Sequence, residues 1–115
     1  MAKLRMTLQT QLVLRALLED PGKQRYGLEL CELAGLPSGT IYPILARLEQ
    51  VGWLDSVWED PAVHVEGGRP RRRFYRITQD GAEQARGAVA HAYRARKQPL
   101  PGWAAARPIA DGGVS

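Results

Sequence analysis

From Met6 to Leu18 the apolar residues Leu8, Leu12, Val13, Ala16 and Leu17 recur at helical spacing, with Gln9, Gln11 and Arg15 between them. This pattern predicts a first amphipathic helix, broken by Asp20, Pro21 and Gly22. YGLELCELA predicts a second, short helix with Leu30, Leu33 and Ala34 on its inner side, ended by Gly35. In SGTIYPILARLEQ, Ile41, Ile44, Leu45 and Leu48 form one apolar stripe of a third helix. Pro43 is compatible with that helix near its start, where few backbone N–H groups have partners to lose, and Ser38 or Thr40 is the expected cap.

After Gly52 the pattern changes period. WLDSVWED has the aromatic and β-branched content of a strand, and RFYRI is its expected antiparallel partner. Between them PAVHVEGGRPRR, with Gly67, Gly68 and Pro70, marks the tip of a long hairpin. Thr78 is a good N-cap, and Asp80 suits the helix dipole, for a fourth helix running to about Lys97 with Ala82, Ala85, Val89, Ala92 and Tyr93 on its apolar side. Beyond Gln98, PLPGWAAARPIADGGVS lacks periodicity and reads as a flexible tail. The expected architecture is mainly α with a small β-hairpin, a winged helix-turn-helix followed by a C-terminal helix over residues 1–97, with the tail at 98–115.

Composition narrows the function. A chain of 115 residues, 44% hydrophobic, suits one core. No apolar run approaches the roughly 18 residues of a membrane span, and MAKLRMTLQTQ lacks the features of a signal peptide, so a cytoplasmic location is expected. The single cysteine, Cys31, excludes an internal disulfide, and two isolated histidines, His64 and His91, speak against a metal site or cofactor. No nucleophile–base pair, paired carboxylate or phosphate-cradling loop can be assembled, so an enzyme is not expected. The net charge of +4 matters through its distribution: Arg69, Arg71, Arg72, Arg73 and Arg76 all fall within RPRRRFYR.

The second and third helices meet the steric demands of a tight helix-turn-helix. Gly35 occupies the turn, where positive φ costs least, and Cys31, small and apolar, lies four residues earlier at the helix crossing. Ile41 and Ile44 follow six and nine residues after the glycine, where the third helix must anchor on the core. An ordinary helical hairpin would satisfy part of this pattern, and an arginine run alone can be a solvated surface. The two features in this order point to double-stranded DNA, with a recognition helix at about 38–51 in the major groove and a basic wing at about 60–73 on the backbone or in the minor groove.

The residues expected at DNA are therefore Ser38, Thr40, Tyr42, Pro43 and Arg47 on the helix and Arg69, Arg71, Arg72 and Arg73 on the wing. Hydroxyls and the helix N-terminal N–H groups suit phosphates, while Arg47 suits a guanine edge or another phosphate. The alternatives are partial core packing for Tyr42 and a salt bridge for Arg47.

YGLEL, SGTIYPILARLEQVGWL and GRPRRRFYRIT followed by QDG resemble the PadR family of bacterial transcriptional regulators, over about Leu8 to Arg86. The resemblance implies a three-helix winged domain with a dimerising helix, a homodimeric repressor, and in some members release by a small aromatic or drug-like effector. Ala82, Ala85, Val89 and Tyr93 are the candidate dimerisation seam, unless they pack only on their own domain. Trp53, Trp58, Tyr93 and Trp103 are the aromatic candidates for an effector site, the alternative being that Trp53 and Trp58 pack the strand base against the third helix and that Trp103 belongs to the tail. The competing reading is a winged-helix interaction module whose arginines meet an acidic protein surface.

Overall fold

The computed structural model describes residues 4–62, 68 and 70–105. Its elements are α1 (Leu8–Leu18), β1 (Arg25–Tyr26), α2 (Gly27–Ala34), α3 (Ser38–Gln50), β2 (Leu54–Trp58), β3 (Arg73–Ile77), α4 (Gln79–Ala95) and a 3-10 turn (Gly102–Ala104). The three strands form one antiparallel sheet in the order β1-β3-β2. This is the expected mainly helical architecture with a β wing.

α1 lies at the centre, touching α2, α3, β3, α4 and the 3-10 turn. Thr7 caps it, its hydroxyl accepting from the Thr10 N–H at 3.1 Å. Because neighbours surround it, its buried face is wider than the sequence stripe and rotated from it. Leu14 and Leu18 are fully buried, Thr10 and Gln11 are buried too, and Leu8, expected inside, is 72% exposed. Gln11 tolerates burial by donating Nε2–H to the Met6 carbonyl at 3.1 Å.

Gly35 adopts φ 69°, ψ 33°, the left-handed conformation expected of the turn, and its N–H and that of Leu36 both bond the Cys31 carbonyl. α2 buries Gly27, Leu30 and Ala34. Leu33, expected inward, is 48% exposed, because so short a helix offers the core only a narrow stripe. α3 buries Ile41, Ile44, Leu45 and Leu48 as expected. Its N-cap is Pro37 with no side-chain cap bond, so the expected capping by Ser38 or Thr40 does not occur; both residues already sit inside the first turn.

In the sheet, residues directly opposite share a face. Leu54 faces Ile77, Ser56 faces Tyr75 and Trp58 faces Arg73, so one face runs continuously from the core outward to the wing. On the other face Asp55 meets Arg76 in a 3.6 Å ion pair, and Tyr26 of β1 meets the Phe74 ring edge-on at 6.1 Å. β1 was not expected: two residues are too few to show an alternating pattern.

Thr78 caps α4 as expected, accepting from the Gly81 N–H at 2.8 Å. Of the segment beyond Gln98, read from sequence as a flexible tail, residues 99–105 depart from that reading, and residues 106–115 lie outside the described residues. Gly102–Ala104 forms a turn against α1 and α4, with Ala104 buried and Trp103 packed on the core. Its apolar side chains find a surface made by two helices, which no local periodicity announces. Among the described residues no helix is long and apolar enough to cross a membrane.

The first turn of α4 leaves no space for a methyl group at Gly81, where an added Cβ would collide with the Trp53 backbone, its Cα 2.6 Å away. Alanine normally stabilises a helix over glycine by about 0.5–1 kcal/mol, whereas overpacking against rigid backbone costs about 1–3 kcal/mol. Gly81→Ala is therefore expected to lower the urea midpoint; an unchanged or raised midpoint would show that α4 can shift away from Trp53.

Candidate nucleic-acid interface

Burying one stripe of α3 turns the opposite side of the same helix outward. Ser38, Gly39, Pro43, Ala46, Arg47 and Gln50 are exposed, and Thr40 is half-buried. Pro37 supplies no side-chain oxygen, so the first N–H groups of the helix have no cap partner. The Arg47 side chain makes no ion pair or hydrogen bond among the described residues, so the structure gives no support to the salt-bridge alternative.

Tyr42 is divided between packing and solvent. Its ring lies against Gly27 at the start of α2, with Cε1 and Cζ 2.7 Å from where a Cβ would stand, while 42% of the residue stays exposed. The absence of a side chain at Gly27 thus fixes where the Tyr42 ring rests.

The wing arginines are more constrained than a solvated run. Arg73 Nη2 lies 3.2 Å from both carboxylate oxygens of Glu49 on α3, and Arg73 also donates to Ser56 Oγ from Nε (3.0 Å) and Nη2 (2.8 Å). Ser56 completes the group by donating to Glu49 at 2.6 Å. The Arg73 guanidinium further sits 5.4 Å from the Trp58 ring centre and 5.8 Å from that of Tyr75. Arg71 donates through Nε and Nη2 to the Glu59 carbonyl (3.2 and 3.0 Å) and lies 5.5 Å from the Trp58 ring centre. Arg72 lies 4.3 Å from the Tyr26 ring centre on the opposite face. Arg69 lies outside the described residues, as does His64.

Of the four expected wing contacts, Arg73 is thus a tie between the wing and α3. Arg71 is hydrogen-bonded yet exposed, and Arg72 is stacked and half-buried. Glu49 and Tyr26, which organise these arginines, were missed in the sequence. Glu49 reads there as one more polar residue of an amphipathic helix.

Two clefts flank α3. One, of about 520 Å³, is bounded by Tyr26, Tyr42, Trp58, Tyr75 and the run Arg71–Arg73. Burial raises the Tyr75 pKa above its usual value, partly opposed by the nearby Arg73 charge, so its phenol stays neutral at physiological pH. The other cleft, of about 490 Å³, lies between the beginnings of α1 and α3 and is lined by Arg5, Thr7, Gln9, Thr40 and Arg47 among others.

The expected dimerisation residues and aromatic sensors do not come together. Ala82, Ala85 and Val89 are 3%, 0% and 0% exposed within one chain, so they are consumed by their own core; Tyr93 alone of that seam is half-exposed. Trp53 is buried and donates Nε1–H to Gln84 of α4 at 3.2 Å. Tyr93 and Trp103 pack at the edge of the core, and of the four aromatic candidates only Trp58 lines either cleft. Cys31 is half-buried at the helix crossing, and burial raises its pKa, keeping the thiol protonated at neutral pH.

The family described as "Transcriptional regulator PadR-like family" matches residues 13–87. Among solved structures, the chain is similar to AbfR in a disulfide-formed state, with 27% identity and a TM-score of 0.57, covering 77% of this chain and 54% of that one. It is similar in fold to a PadR family transcription regulator from Clostridium difficile R20291 (24% identity, TM-score 0.56, covering 76% of this chain and 90% of that one). It is likewise similar in fold to a PadR-like transcription factor from Bacteroides fragilis (22%, TM-score 0.55, 78% and 86%). The chain thus spans about half the length of AbfR. No curated protein sequence is significantly similar to it.

The Arg73 node sets a ranking of wing substitutions. Charge-assisted hydrogen bonds contribute about 1.5–3 kcal/mol, reduced here because both partners are about a third exposed, whereas an arginine stacked on an aromatic ring contributes about 0.5–1 kcal/mol. Arg73→Ala is expected to lower stability by about 1–2 kcal/mol and Arg72→Ala by about 0.5–1 kcal/mol in urea unfolding. Equal losses would mean that Glu49 does not hold the wing.

Proposed function

Because the chain belongs to the PadR-like family of transcriptional regulators, we propose that it acts as a sequence-specific, homodimeric DNA-binding repressor, with α3 in the major groove and the wing on the backbone or in the minor groove. The observation that carries this reading is α3 itself. One stripe locks it rigidly into the core, while its outer side presents Ser38, Pro43 and an Arg47 without an ion pair among the described residues to solvent. A helix held in this way is suited to the roughly 12 Å width of the major groove.

In this reading Ser38, Thr40 and Tyr42 contact phosphates, Pro43 shapes the approach, and Arg47 reaches a base edge. Arg71 and Arg72, with Arg69, supply the charge of the wing, whereas Arg73 holds the wing at its angle to α3. Two protomers would set their α3 helices in successive major grooves about 34 Å apart, over pseudo-palindromic half-sites. With Ala82, Ala85 and Val89 already buried, the partner meets the outer side of α4 and Tyr93.

An effector, if planar and aromatic, has its most suitable berth in the cleft of Tyr26, Tyr42 and Trp58, where ring stacking is available beside three arginines. Quenching of tryptophan fluorescence by such a compound is expected to disappear in Trp58→Phe and to persist in Trp103→Phe. The reverse pattern would move the effector site to the C-terminal turn.

For DNA itself, log affinity is expected to fall with log salt at a slope of roughly −4 to −8 for a dimer. Arg71→Ala with Arg72→Ala should weaken all duplexes alike, whereas Arg47→Ala should alter sequence preference among fragments selected from genomic DNA. A flat salt response would instead favour an acidic protein partner, and uniform weakening by Arg47→Ala would make that residue a phosphate contact.

A further inference from the structure

We infer that Arg5, on the segment leading into α1, grips a phosphodiester of the duplex backbone in the cleft it shares with Thr40 and Arg47, giving the protein a DNA contact separate from both the wing and the base-facing side of α3. The inference rests on the DNA-binding reading above and names a contact that neither the arginine run nor the recognition helix supplies.

Three observations carry it. First, the cleft of about 490 Å³ between the beginnings of α1 and α3 is lined by two arginines and by hydroxyl and amide side chains, with no acidic residue among them. Second, the cations near α3 and the wing differ in how they are engaged. Arg71 and Arg73 are hydrogen-bonded, Arg72 is stacked on Tyr26, and Arg76 is paired with Asp55. Arg5 and Arg47, by contrast, make no ion pair or hydrogen bond among the described residues. Two like charges facing one cleft without an acid repel each other, and a phosphate held by Arg5 lowers that repulsion while leaving Arg47 to reach a base edge.

Third, the floor of the cleft is open to close approach. Nothing lies within 4 Å of where a Cβ would stand at Gly39, so a phosphate oxygen can come near the α3 backbone there. Thr10 and Thr7 hold the beginning of α1 in shape, the Thr7 hydroxyl donating to Thr10 Oγ1 at 3.0 Å, which fixes the backbone that carries Arg5. The exposed side of α3 borders the same cleft through Pro43 and Arg47. A duplex whose major groove receives α3 therefore runs its backbone past Arg5.

The test compares the full chain with Arg5→Ala, Arg5→Lys and Arg15→Ala on fluorescent duplexes across a salt series. Arg15 lies on α1 outside this cleft, within 3.7 Å of Glu19. The expected result for Arg5→Ala is a several-fold loss of affinity, similar for every sequence, with the salt slope reduced by about 0.9 per bound protomer. Arg5→Lys should restore the slope, and Arg15→Ala should match the parent chain. Parent binding with an unchanged slope in Arg5→Ala would overturn the Arg5 contact alone; absence of any duplex binding by the parent would overturn it together with the DNA-binding reading. Stabilisation by millimolar inorganic phosphate that requires Arg5, with the DNA slope unaffected by Arg5→Ala, would assign the cleft to a free anion and also overturn the proposal.

Discussion

Everything at the candidate interface depends on how α3 is held. Ile41, Leu45 and Leu48 are fully buried and Ile44 nearly so, and each such side chain contributes on the order of 1.5–3 kcal/mol by leaving water. That burial fixes the rotation of the helix about its own axis. Once the rotation is fixed, the solvent side of α3 is no longer free to vary: Ser38, Pro43, Arg47 and Gln50 point away from the core because the aliphatic stripe points into it. Gly35 determines the angle at which α2 enters this arrangement, since its left-handed turn lets the chain reverse within three residues between Ala34 and Ser38.

The base of the wing shares the core of the same helix through Leu54, Tyr75 and Ile77, and its outer part is tied to that helix by electrostatics. Glu49 lies on α3 and Arg73 begins β3, and Ser56 of β2 joins both. Toward its tip the hairpin has little buried apolar surface, Val57 and Trp58 being about half exposed, so the ion pair adds to what the buried strand ends already fix. Strand alternation also sorts the arginines: Arg71 and Arg73 fall on the face shared with Trp58, and Arg72 on the face of Tyr26. The positive run is therefore an organised surface with different tasks for successive residues.

α4 shows the opposite case, in which a surface expected to be shared between chains is used up within one. Its small residues Ala82 and Ala85 let the helix lie close to the rest of the domain, and Gly81 brings its first turn against the Trp53 backbone. The C-terminal turn at Gly102–Ala104 closes over the remaining gap beside α1. What a second copy could meet is consequently the outer side of α4, not its apolar stripe.

The sequence by itself determined the elements whose cause is local. The period of Ile41, Ile44, Leu45 and Leu48, the glycine at position 35, the cap at Thr78 and the strand character of LDSVW and of RFYRI are all legible because each depends on neighbours a few residues away. Tertiary structure alone decided the rest. It rotated α1 so that Leu8 is exposed and Gln11 buried, and it added β1. It also placed Glu49 on Arg73 and brought Arg5 and Arg47, more than forty residues apart in the chain, to one cleft. These outcomes turn on which surfaces meet, and the free energy of such a meeting belongs to pairs of distant residues, which no window along the chain contains. The helix-turn-helix and wing could therefore be read from the order of residues, but which arginines are spent within the fold and which remain for a partner could not.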